Sequence, residues 1–168
     1  MLVNDLVSGI SHNEFSGLKV TFINMPLRES ALPNTPPEGP LILSAILRKF
    51  EADVHIIDLN GYRIKDEDAE NRGLPNGRHM SLKEAEDMFL RHLSNKGEQD
   101  IVAFSGKITT LRWQEEMAKI VRKHLPDCFL VSGNGLATEI KAGLFNWIPE
   151  LDGVARSEGD DAILVIAK

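Results

Sequence analysis

Short apolar runs alternate along the chain with longer stretches in which apolar positions recur every three or four residues. The run LKVTFIN is rich in β-branched and aromatic side chains and predicts a buried strand, Leu18–Asn24. The next loop holds Pro26, Pro33, Pro36, Pro37 and Pro40. Their fixed φ and missing N–H are expected to keep it out of helix and central strand. LILSAILRKF then predicts a short buried helix, Pro40–Phe50, and ADVHIIDLN a second strand, Val54–Asp58. Residues 60–80 are charged and rich in Gly and Pro, an insertion of about 20 residues and longer than usual connections. Ser81 with Glu84 three residues on forms a capping box, opening a helix whose Leu82, Ala85, Phe89 and Leu93 make one stripe.

The second half repeats the scheme. DIVAFSG predicts a strand, Asp100–Ser105, followed by a helix with Trp113, Met117, Ile120, Val121 and His124 at helical spacing, ended by Pro126. Cys128–Ser132 predicts a fourth strand. SGNGLAT reads as a glycine-rich turn before a helix over Glu139–Trp147, LDGVARSEGDD as a short fifth strand and a turn, and AILVIAK as the start of a last helix. Strands apolar on both faces and separated by helices predict an α/β fold, a parallel sheet covered on both sides. Right-handed crossovers make it a doubly wound, five-stranded Rossmann-like domain in the flavodoxin-like order 2-1-3-4-5, spanning residues 18–168. Residues 1–17 read as a polar leader or small irregular cap. Ligands of such sheets bind beyond the carboxyl ends of the strands.

Composition narrows the function. The 168 residues are 42% hydrophobic and 26% charged, with net charge -6, as in an ordinary single domain. No apolar run reaches the roughly 18 residues that span a bilayer. Asn4, Asp5 and Glu14 stand where a signal peptide needs a basic start and an apolar block, so a cytoplasmic protein with no membrane partner is expected. The acidic balance, with no clustered Lys, Arg and aromatics, argues against nucleic acid. One cysteine, Cys128, excludes an internal disulfide, a multi-cysteine zinc site and an iron–sulfur cluster on the chain's own cysteines. Its place in CFLVSG reads as core packing.

The strand-end loops lack the common chemical signatures. The first holds only Gly39, so no dinucleotide fingerprint follows the first strand; Gly133 and Gly135 come after the fourth. A phosphoacceptor receiver needs carboxylates where this chain has Asn24 and Ser105. A flavodoxin needs a short hydroxyl-rich first loop. No P-loop, G-x-S-x-G or H-E-x-x-H occurs. SGKITT is small and hydroxyl-rich, bringing Ser105, Thr109 and Thr110 to the expected crevice; one threonine can cap the helix. Lys107 is either solvated or meets a phosphate or carboxamide. Asp53 and His55 begin a strand and read as structural, and the other histidines are too scattered for a metal site.

KVTFINMP, PPEGPLILSAILR, HIIDLN, DIVAFSGKITT, SGNGLAT and GVARSEGDDAI, in that order, resemble the segments of the cobalamin-binding domain at the amino end of many radical S-adenosylmethionine enzymes. The resemblance runs from Lys19 to Lys168. It implies cobalamin (vitamin B12) held base-off, its nucleotide tail against Ser105, Gly106, Thr109, Gly133, Asn134 and Gly135. Ser105 would donate to the tail's ring nitrogen. Pro37, Glu38 and Gly39 would border the corrin, and Glu158 and Gly159 would shape the domain exit. The loop after Asn24 has no histidine, so no protein ligand on cobalt is implied. Asn134 adds bulk where the family has glycine, and Leu136 replaces its frequent histidine.

By the same resemblance, the parent protein transfers a methyl group from S-adenosylmethionine through cobalt to a substrate radical. Its [4Fe-4S] cluster, S-adenosylmethionine site and small-molecule or peptide substrate would belong to a downstream radical domain in cis, absent from this chain. No catalytic residue is assigned here. The alternative is the same fold without cobalamin, an interaction or substrate-gating domain.

Overall fold

Strands β1 (Lys19–Asn24), β2 (Asp53–Asp58), β3 (Ile101–Ser105), β4 (Phe129–Gly133) and β5 (Gly153–Val154) pair in parallel in the order β2-β1-β3-β4-β5. This is the α/β arrangement that the sequence predicts. The computed structural model describes residues 9–26, 36–61, 71, 73, 80–156 and 158–168. The insertion at 62–70, 72 and 74–79 with His79, most of the proline-rich loop with Pro33, residues 1–8 and Ser157 lie outside them.

Successive strand residues point to opposite faces, and each face packs its apolar residues against its own helices. Val20, Phe22, Val54, Ile101, Ala103 and Val131 pack with Leu47 of helix α1 (Glu38–Arg48) and Ile163 of the last helix, α5 (Gly159–Ala167). On the other side Ile23, Ile57, Val102, Phe104 and Leu130 meet three helices. These are α2 (Leu82–Lys96), α3 (Leu111–His124) and α4 (Asn134–Ile140), through Phe89, Met117, Val121 and Leu136. Phe15, ahead of β1, is buried edge-on against Phe50, with ring centroids 5.6 Å apart. The Ser81–Glu84 capping box forms: Ser81 N–H donates to Glu84 Oε2 at 2.8 Å, and Glu84 N–H to Ser81 Oγ at 3.3 Å.

Several boundaries differ from expectation. Helix α1 begins at Glu38, so Pro40 does join a helix. It sits in the first turn, where backbone N–H groups have no intrahelical acceptor to lose. Strands β3 and β4 begin one residue later than expected, and β4 ends at Gly133. The glycine-rich turn is absent, because α4 starts at Asn134 directly after β4. Asn134 makes the reversal alone in the left-handed region, φ 69°, which asparagine tolerates. A 3₁₀ run, Lys141–Asn146, stands where a helix over Glu139–Trp147 was expected.

The Asp53/His55 pair starts β2, at the opposite end of the sheet from the strand carboxyl ends. His55 Nε2 lies 3.0 Å from Asp53 Oδ1, and its ring meets His92 of α2 edge-on at 5.3 Å. Thr21 gives its one hydroxyl proton to Gln99 Oε1 at 2.8 Å. The 2.8 Å contact with His92 Nε2 therefore has His92 as donor, which fixes its neutral tautomer as Nε2–H. Burial, followed by the charge of His55, pushes the His92 pKa below the usual histidine value.

Candidate functional site

Strand alternation decides which terminal residues share a face. Ser105 continues the series Ile101, Ala103, and Gly133 continues Val131, so both point toward α1 and α5. They stand opposite each other in register. Beyond them the two helices leave a cleft of about 350 Å³. That is near the low end of the roughly 300–1,000 Å³ typical of small-molecule sites.

The cleft floor is Phe22, Ala103, Phe104 and Val131. Gly39, Pro40, Ile42 and Leu43 of α1 form one wall; Gly159, Asp160, Ala162, Ile163 and Ile166 of α5 form the other. Gly159 permits close approach of the helices, since a β-carbon there would lie 3.2 Å from both Leu43 methyls. Ala155 and Glu158 complete the rim. No lysine, arginine, histidine or cysteine is among these described lining residues, and the charges present are acidic. The cleft therefore suits a small, largely apolar group and disfavours an anion, and it holds no nucleophile–base pair among the described residues.

Its most specific feature is Ser105, 7% exposed. Asn134 Nδ2 donates to Ser105 Oγ at 3.1 Å, while Asn134 Oδ1 accepts from Gly135 N–H at 2.6 Å. The proton of the Ser105 hydroxyl reaches no acceptor among the described residues.

Of the residues singled out from the sequence, the fold brings Gly39, Ser105, Gly133 and Asn134 together in the cleft. Pro37, Glu38, Gly106, Thr109 and Gly135 do not line it. Gly106 is turned to the other face, where Thr110 Oγ1 and Gln114 Nε2 already fill the space beside its α-carbon. Thr109 is exposed in the 3₁₀ turn Ile108–Thr110. Thr110 caps no helix by its side chain; its hydroxyl donates to the Lys107 carbonyl at 2.8 Å. Pro37 and Glu38 stand at the start of α1 outside the cleft, and a side chain on Gly135 would meet open space. Glu158 and Gly159, read from the sequence as shaping a domain exit, also line the cleft. Pro40, Leu43, Ile163 and Ile166 were missed, although Gly159, Ala162, Ile163 and Ile166 fall on one helical face.

A wider hollow of about 620 Å³ surrounds Arg122 at the amino end of the sheet. That guanidinium is already committed to the carbonyls of Glu150, Pro126 and Cys128 and to Asp152, so it closes the fold rather than awaiting a ligand.

No protein family and no curated protein matches the sequence. Among solved structures, the chain is similar to the cobalamin-dependent S-adenosylmethionine radical enzyme OxsB, whose structure has aqua-cobalamin and S-adenosylmethionine bound. The TM-score is 0.54 at 19% identity, over 89% of this chain and 19% of that one. The two share a fold. This chain thus spans less than a fifth of the length of the enzyme it matches. Among the described residues no helix is long and apolar enough to cross a membrane, and no group of three or more His, Cys, Asp or Glu is placed to hold a metal ion.

Proposed function

We propose that this chain is a cobalamin-binding module that works with a radical S-adenosylmethionine domain, in the service of methyl transfer. The unused proton of Ser105, buried at the end of an apolar cleft, carries the reading. The nucleotide tail of cobalamin ends in a flat bicyclic base with one ring nitrogen free to accept a hydrogen bond. The cleft supplies apolar walls for such a ring and one donor for that nitrogen. It is too small for the corrin, which stays outside. A base seated there is off the cobalt, and no histidine among the described residues lies at the cleft to replace it.

When bound, cobalamin supplies the capacity to accept and release a methyl group at cobalt. The chain's own residues hold. Ala103 and Val131 would lie beneath the ring, Ser105 would donate to its nitrogen, and Leu43 and Ile163 would wall the site. The [4Fe-4S] cluster, S-adenosylmethionine and the small-molecule or peptide substrate belong to the partner domain in this reading, and the module works in the cytoplasm.

Titrating the purified chain with hydroxocobalamin tests the proposal. The expected result is the visible spectrum of base-off cobalamin, with the vitamin and protein co-eluting on a sizing column. An unchanged spectrum and separate elution would overturn it. The fold would then serve without cobalamin, as an interaction or gating domain.

A further inference from the structure

We propose that Asn134 is a positioning residue that fixes Ser105 as a hydrogen-bond donor. The cleft then selects a flat ring presenting an unprotonated nitrogen over one presenting N–H. The inference rests on the cleft being the tail site, and it names what that site discriminates.

A serine hydroxyl has one proton and two lone pairs, and its direction is free until a neighbour sets it. Asn134 sets it. The Asn134 amide has its own orientation fixed by Gly135, whose N–H can only donate, so the atom 2.6 Å away is the amide oxygen. The NH₂ group must then face Ser105 Oγ, at 3.1 Å. An NH₂ group only donates, so Ser105 accepts there and its proton is directed elsewhere. Ser105 itself is buried, so the direction left to that proton is the cleft it lines. The left-handed backbone at Asn134 holds the side chain at the junction of β3 and β4, next to the cleft.

Glycine at this position would keep the turn but free the hydroxyl to rotate. Aspartate, of the same shape and equally at ease in the left-handed region, would accept the Ser105 proton and turn the hydroxyl's lone pairs toward the cleft. The polarity of the site would reverse without a change in its volume.

The test compares 1-methylbenzimidazole, whose ring nitrogen only accepts, with indole, whose N–H only donates. Binding is read from amide chemical shifts of the cleft residues. The wild type is expected to prefer 1-methylbenzimidazole by about fivefold, the worth of one oriented hydrogen bond. Asn134→Gly should erase most of that preference, and Asn134→Asp should invert it. A merely structural role for Asn134 would weaken both probes together. No preference in the wild type, or the wild-type order retained in Asn134→Asp, would overturn the inference.

Hydroxocobalamin and cobinamide, which lacks the nucleotide, separate this from the reading beneath it. If the probes behave as expected while the two corrinoids bind equally or not at all, the tail-site reading fails, and what stands is that Asn134 sets the polarity of the Ser105 hydroxyl. If cobalamin binds more tightly than cobinamide and Asn134→Asp leaves that difference intact, the inference fails and the reading stands.

Discussion

Gln114 Nε2 stands 2.7 Å from the position that a β-carbon on Gly106 would take. The two are locked. Gln114 Oε1 accepts from the buried Ser132 hydroxyl at 2.7 Å, so the amide cannot swing away without stranding that hydroxyl. Thr110 Oγ1 crowds the same position while donating to the Lys107 carbonyl. Gly106→Ala is therefore expected to destabilise the fold by about 1–3 kcal/mol, the usual cost of overpacking. The drop would appear as a lower urea midpoint, and an unchanged midpoint would show that the turn has slack.

Gly106 also shows where sequence reading stops. The alternation of strands and helices, with the rule of right-handed crossovers, was enough for the sheet and its order. The resemblance named Ser105 and Gly133 as neighbours of one ligand, but their register became visible only with the fourth strand running to Gly133 rather than Ser132. A glycine, however, reads the same whether its missing side chain opens a slot or lets Thr110 and Gln114 pack against backbone. The α5 wall was hidden for another reason: its contact with α1 through Gly159 and Leu43 joins segments remote in sequence. The turn at Asn134 was misread because a single left-handed residue did what a glycine-rich turn was expected to do.

His92 makes stability depend on pH. Burial and the charges of His55 and Lys96 oppose its protonation; the Gln99 contact and Asp53 favour it less strongly. The native pKa lies below the unfolded value of about 6.5. Below that value the unfolded chain binds more protons, so stability falls as pH drops through the unfolded pKa and levels off below the native one. Urea midpoints measured from pH 7.5 downward should fall more steeply in the wild type than in His92→Gln, which keeps a donor for Thr21. Parallel curves would refute the assignment.

Cys128 is buried, and burial raises its thiol pKa to about 11. Near pH 8 only about one thiol in a thousand would be ionised, and the thiolate is the reactive form. Ellman's reagent should leave the folded chain almost unlabelled for hours and label it fully in denaturing urea. Rapid labelling without denaturant would mean that the edge of β4 opens in the native state.

Gly133 should behave oppositely to Gly106, although one ends β4 and the other directly follows β3. Its backbone is extended, with φ -131°, so alanine adopts it without strain. A β-carbon there would lie 3.8 Å from the Phe104 carbonyl oxygen and 3.9 Å from Ala155 Cβ, ordinary contact distances. Gly133→Ala should therefore leave stability within about 0.5 kcal/mol of wild type. The added methyl enters the cleft, however, where it narrows the space for a ring between the sheet and α5. Affinity for hydroxocobalamin should fall about tenfold, within the usual cost of overpacking, while cobinamide binds as before. Equal losses for both corrinoids would place the effect outside the tail, and no loss for either would mean that the ring lies elsewhere. The pair of glycine substitutions thus separates a glycine needed for packing from one that leaves room for a ligand.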